Sequence, residues 1–131
     1  MATPSPSPGA KGQHFDTQVS YRLGVPLIYV QGELDHETSK DLRLVIQEEM
    51  SGSPQQLVLD VTSVDYMDSA GLSLMFDTLG RFSPPGWLGI VNPNSSVRRL
   101  FEMTGLTERQ TLIMFADVNA AGRALRGKKT G

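Results

Sequence analysis

A single hydroxyl set where a strand gives way to a helix is the feature of this chain with the most chemistry in it. Residues 57–72 read LVLDVTSVDYMDSAGL: an apolar run, an acidic loop, and then Asp68-Ser69-Ala70-Gly71 at a helix start. The first turn of a helix leaves backbone N–H groups without intrahelical partners, and the macrodipole favours negative charge there. Ser69 can therefore serve as a helix cap, as a nucleophile or as a site of phosphorylation.

The three roles make different demands on the neighbours. A nucleophile elbow needs glycine two residues before and two after the serine, because the backbone must pass through a strained turn. Gly71 satisfies the second position, but Met67 stands at the first. A general base is also needed, and the chain has only His14 and His36, the latter just after a strand. The nearby acids Asp60, Asp65 and Asp68 raise a second chemistry, magnesium binding or a phospho-aspartate switch, since hard cations prefer carboxylate oxygens. That switch also requires a lysine after the last strand, where this chain has Phe115-Ala116-Asp117. The acids are then read as helix caps and solvated loop residues. Phosphorylation of Ser69 would add about −1.5 to −2 charges and three strong acceptors. The helix start offers N–H donors to such a group, so the fold is expected to tolerate it, while Asp68 and Asp35 would repel it. A plain cap remains the alternative at this point.

The elements that must hold this loop alternate along the chain. Phe15 to Leu23 reads as an edge strand, and Val25 to Leu34 as a more buried one with Pro26 near its start. A helix is expected from about Glu37 to Met50, with Leu42, Val45, Ile46 and Met50 as its apolar stripe and Asp35 as its N-cap. Leu57 to Val61 suits a central parallel strand covered on both faces. After Ser69, Leu72, Met75, Phe76, Leu79 and Phe82 recur at helical spacing until Pro84-Pro85-Gly86. Trp87 to Val91 is a fourth strand. Asn94 or Ser95 caps a third helix that leaves at Gly105, Gln110 to Phe115 is a fifth strand, and Asp117 to Leu125 a last helix. The order β-β-α-β-α-β-α-β-α with right-handed crossovers predicts a compact α/β domain: a mixed, mostly parallel sheet of about five strands and about four helices.

Composition bounds the function. The chain has 131 residues, enough for one domain with a real core, and a formal net charge of −2, which gives no field for holding nucleic acid. With no cysteine, disulfides, thiolate metal sites and a cysteine nucleophile are excluded. Residues 1–13, rich in Pro and Ser, read as a flexible tail without the apolar core of a secretory signal. The domain is then expected over residues 14–125 and a short basic tail over 126–131. No apolar run approaches membrane-spanning length, so a cytoplasmic protein is expected, with no membrane partner. No glycine-rich phosphate loop is present, and neither a cofactor nor a metal is expected.

Two segments, Gly32-Glu33-Leu34-Asp35-His36-Glu37-Thr38 and Tyr66-Met67-Asp68-Ser69-Ala70-Gly71-Leu72, closely resemble the signature loops of bacterial anti-sigma-factor antagonists of the STAS domain family. The run from Val97 to Leu106, VRRLFEMTGL, is similar to that family's third helix and its exit. The likeness covers about residues 15 to 125 in matching order. What the resemblance implies is a switch without enzymatic activity of its own. Ser69 becomes the phosphate acceptor of an anti-sigma factor that is itself an ATP-dependent serine kinase. Unphosphorylated, such a protein binds the anti-sigma factor and frees the sigma factor for transcription; a metal-dependent serine phosphatase restores that state. Asp35, Met67, Asp68, Ser69, Ala70 and Gly71 are the implied partner-binding residues. Ala70 stands where some members carry a second hydroxyl, which leaves Ser69 the less ambiguous acceptor. An alternative within the same family is a scaffold or regulatory subunit of a multi-protein stress-signalling complex.

Overall fold

Alternating strand and helix patterns resolve into one sheet with helices on both faces. The computed structural model describes residues 14–130; the Pro/Ser-rich stretch 1–13 lies outside the described residues. In chain order the elements are β1 (Asp16–Arg22), β2 (Val25–Leu34), α1 (His36–Met50), β3 (Gln56–Met67), α2 (Ser69–Leu79), β4 (Trp87–Val91), α3 (Ser95–Met103), a 3-10 turn (Leu106–Glu108), β5 (Leu112–Phe115) and α4 (Val118–Thr130). The strands lie side by side in sequence order. β1 runs antiparallel to β2, and the remaining pairings are parallel. This is the mixed, mostly parallel α/β sheet that the sequence leads one to expect.

Each parallel connection steps to the next strand in the same direction, so right-handed crossovers put α1, α2 and α3 on one face. Leu42 and Ile46 of α1, Leu74 and Met75 of α2, and Val97 and Phe101 of α3 meet Ile28, Val30, Leu34, Leu59 and Ile90 of the sheet in one core. α4 has nowhere to go but the opposite face. There Ala121 and Leu125 pack with Val25, Leu27, Val58, Trp87 and Phe115 in a second, smaller core. Strands buried on both faces read as continuous apolar runs, which is why β3 and β4 look so hydrophobic in sequence. Toward the carboxyl end of β2 the second face turns polar. The Tyr29 hydroxyl there lies 2.8 Å from Ser63 Oγ and 3.2 Å from Gln31 Oε1.

The structure differs from the sequence expectation mainly in lengths. β3 does not stop at Val61 but runs on to Met67, through the stretch that reads as an acidic loop. Two register shifts against β2 make this possible, between Tyr29 and Gln31 and between Gly32 and Glu33. Strict alternation from Val61 would turn Ser63 and Asp65 inward. The first shift turns Val64 inward instead, and the second returns Met67 to the core side and leaves Asp65 and Tyr66 exposed. Gly32, at the second shift, has φ +100°, a backbone region that glycine enters without steric cost. Asp60, inside the expected strand, is 9% exposed, and its carboxylate accepts from Thr62 N at 3.1 Å and Thr62 Oγ1 at 2.7 Å. It is not a solvated loop acid. α2 ends at Leu79, and Phe82 enters the core from the turn beyond it. β5 starts at Leu112 because Leu106–Glu108 winds as a 3-10 turn after Gly105. α4 continues to Thr130, so the helix carries on through the residues that read as the start of a basic tail.

Phe101, fully buried where α3 meets the sheet, is the sharpest test of this core. Phe101→Ala is expected to cost about 3–5 kcal/mol in urea denaturation. Leu44→Ala, at an exposed position on α1, should stay within about 0.5 kcal/mol of the native chain.

Candidate functional site

The helices that follow β2, β3 and β4 all begin just past the carboxyl ends of those strands. Their N-caps are Asp35, Asp68 and Asn94, and together they line one edge of the sheet. Ligands of open α/β sheets bind outside this edge, which makes it the place to look for function.

Asp35 closes α1 with a complete capping box. Its Oδ1 accepts from Glu37 N and Thr38 N, both at 3.0 Å. Its own N–H donates to Thr38 Oγ1 at 2.9 Å, and the Thr38 hydroxyl donates in turn to Glu33 O at 2.7 Å. The Thr38 N–H, with smaller help from the Thr38 hydroxyl and Glu37 N–H, holds the Asp35 carboxyl below its ordinary value against an opposing desolvation effect.

Asp68 caps α2 in the same way, accepting from Ala70 N at 2.8 Å and Gly71 N at 3.2 Å. This settles one alternative: Ser69 is the first residue of the helix, and the cap is the aspartate before it. It also narrows the expectation that the helix start would offer its N–H groups to a phosphate on Ser69, because the Asp68 carboxylate already takes two of them and the N–H of Ser69 itself is left. Here the third helical residue is Gly71, which has no side chain to complete a box. The Asp68 N–H donates instead to Leu34 O at 3.1 Å and ties the second loop to the first. Gly71 makes that tie possible. A Cβ at this position would lie 2.7 Å from Met67 Cγ and 2.9 Å from Leu34 O.

The expected site residues therefore divide in two. Ser69 is exposed, and its hydroxyl makes no hydrogen bond to any described residue. Asp35, Asp68 and Ala70 are half-buried, Asp68 and Ala70 as its chain neighbours and Asp35 on the loop that the Asp68–Leu34 bond ties to it. Met67, only 6% exposed, and Gly71 are buried and do not offer a partner a surface: they hold the rim in place from beneath. Met67 points into the core because the second register shift of β3 brings it into line with Leu34, its neighbour on β2. Asn94, rather than Ser95, caps α3, accepting from Val97 N at 2.9 Å. Its amide also donates to Val64 O at 3.1 Å and Asp65 O at 3.3 Å, a link to β3 that no local pattern announces.

For a hydrolytic reading the geometry supplies little. His36 is the exposed first residue of α1 and makes no hydrogen bond to Ser69 or to any other described residue. Among the described residues, no group of three or more His, Asp or Glu side chains is placed to hold a metal ion. Nor, among those residues, is any helix long and apolar enough to cross a membrane.

Residues 16–121 match the model of the STAS domain. The chain is similar to the anti-sigma F factor antagonist of Paenibacillus polymyxa, with 31% identity over 68% of this chain and 78% of the relative. It is also similar to the anti-sigma-F factor antagonist RsfB of Mycobacterium tuberculosis, with 29% identity over 79% of this chain and 84% of the relative. Among solved structures, an anti-sigma factor antagonist from Mycobacterium paratuberculosis superposes with a TM-score of 0.78 at 28% identity, covering 86% of this chain and 95% of that one.

Two measurements check the rim. Gly71→Ala must push Met67 and the Leu34 carbonyl apart, and is expected to cost about 1–3 kcal/mol in denaturant. The second uses pH. A carboxyl whose folded pKa is depressed adds stability above its unfolded pKa, and that stability is lost as pH falls through the folded value. At neutral pH the native chain should therefore melt above Asp35→Asn, which keeps a capping side chain but not the charge. Below about pH 4 the gap should narrow as Asp35 takes up a proton.

Proposed function

The chain belongs to the STAS domain family, and on that premise we propose that it is an anti-sigma-factor antagonist switched by phosphorylation of Ser69. The observation that carries this reading is the state of the Ser69 hydroxyl. It is exposed, unbonded among the described residues, and relieved of capping duty by Asp68. A serine needed for the helix could not be modified without loss of the cap. This one can.

In the unphosphorylated state the rim of Asp35, Asp68, Ser69 and Ala70 binds an anti-sigma factor, which then releases its sigma factor. That anti-sigma factor is an ATP-dependent serine kinase. Ser69 Oγ attacks the γ-phosphorus of ATP, a new P–O bond forms as the bond to the β-phosphate oxygen breaks, the hydroxyl proton is lost and ADP leaves. The chain itself is the substrate and contributes no catalytic group. A metal-dependent serine phosphatase removes the phosphoryl group by hydrolysis. All of this takes place in the cytoplasm, without direct contact with nucleic acid or membrane.

The block follows from charge and occupancy. Two of the first-turn N–H donors, those of Ala70 and Gly71, are held by Asp68, which leaves the N–H of Ser69 itself. A phosphoryl group of about −1.5 to −2 charge therefore stays at the surface with few local donors, close to the cap carboxylate, and meets the partner largely unpaired. Burying an unpaired charge of this kind at an interface costs about 2–5 kcal/mol, some tens- to thousands-fold in affinity. Because the cap and core do not use the Ser69 hydroxyl, the domain stays folded in both states.

Ser69→Ala is expected to abolish phosphorylation by the cognate kinase and still bind it in calorimetry, whereas Ser69→Asp and Ser69→Glu bind poorly. Equal affinity of the kinase for native and phosphorylated chains would overturn the switch. Co-purification of the unmodified chain in a large assembly lacking an anti-sigma factor would do the same.

A further inference from the structure

We infer that Tyr66 is the apolar anchor that seats the partner protein against the Ser69 rim, a role the buried Met67 cannot fill. The inference rests on the reading of Ser69 as the kinase-controlled contact. The exposed large hydrophobic residues of the described chain are Val19, Tyr21, Leu23, Leu44, Tyr66 and Met103. The topology places all but one of them away from the functional edge. Val19, on the edge strand, pairs with Ile28 midway along its length, and Tyr21 with Pro26 at the far end. Leu23 lies in the turn between β1 and β2, Leu44 midway along α1, and Met103 at the last turn of α3, opposite its N-cap. Only Tyr66 stands at the carboxyl edge, 51% exposed, paired in register with Glu33 and three residues before Ser69. Three residues span at most about 11 Å, so one partner surface can cover both side chains.

The way β3 is built supports the assignment. The second register shift consumes a residue of β3, so that between the inward Val64 and Met67 two residues, Asp65 and Tyr66, face outward. Shifts of this kind recur beside functional sites, where they re-aim a side chain. Within the described chain the Tyr66 hydroxyl has no hydrogen-bond partner and its ring no aromatic or cationic partner. Tyrosine is enriched among the few residues that carry most of an interface's binding energy: its rigid ring buries much area at small entropic cost, and its hydroxyl can bond at the rim. The partner chemistry implied is a protein surface with an apolar pocket for a phenol ring, next to the kinase cleft that receives Ser69.

The test is calorimetry and phosphorylation assay of the full chain against each ATP-dependent serine-kinase anti-sigma factor of its own genome. Variants Tyr66→Ala, Tyr66→Phe and, as an exposed tyrosine at the far end, Tyr21→Ala are compared with the native chain. Tyr66→Ala should weaken binding by about 10-fold or more, Tyr66→Phe should stay within about 3-fold, since it keeps the ring, and Tyr21→Ala should bind as the native chain does. Thermal midpoints within a few degrees confirm that the exposed substitutions leave the fold intact. If the native chain binds a kinase and Tyr66→Ala binds it equally well, the anchor is overturned and the reading of Ser69 stands. If the native chain binds none of them, the reading of Ser69 falls and the anchor falls with it.

Discussion

One hydrogen bond, from the Asp68 N–H to the Leu34 carbonyl, joins the two loops that carry the proposed site. It exists because Gly71 has no side chain: the first turn of α2 can then sit directly against Leu34 and Met67. In α1 the equivalent N–H is satisfied locally by Thr38. In α2 that local partner is missing, and the orphan donor is turned into a tertiary contact. A buried donor left without a partner costs about 1–3 kcal/mol, so the pairing holds the loops in one relative position rather than merely near one another.

The same arrangement separates support from presentation. Leu34, Met67 and Gly71 are buried and set the height and tilt of the rim. Asp35 and Asp68 spend their carboxylates on the N–H groups of their own helices. Ser69, Tyr66 and the solvent-facing sides of the caps are left exposed. A charge added to Ser69 acts on the presented surface alone, because no supporting interaction passes through its hydroxyl. The outlay of strain is small, two register shifts in β3 and a glycine at φ +100°, and it lies directly beneath the rim.

Much of this was legible from residue order. Apolar runs and period-3.6 patterns located β2, β4 and the helical faces, since burial on one or both sides leaves a direct imprint on composition. Asp35 as a cap was readable because a capping aspartate and its partner threonine are three residues apart. The carboxyl half of β3 was not readable. Its inward residues step by three, from Val61 to Val64 to Met67, and a polar stretch with that spacing looks like a loop until its partner strand is in place. The exposure of Tyr66 and the burial of Met67 were hidden for the same reason, and so was the link from Asn94 to β3, which spans thirty residues.

By itself, then, the sequence determined the class of fold and the succession of its elements, and singled out Ser69 as the start of a helix, because each depends on propensities and spacings within a few residues. Which residue caps α2, which side of β3 carries Met67, and whether the helix start has N–H groups left to offer a phosphate were decided only in three dimensions. Those outcomes depend on which donors and which space the neighbouring strand has already taken, and no local window of residues contains that information.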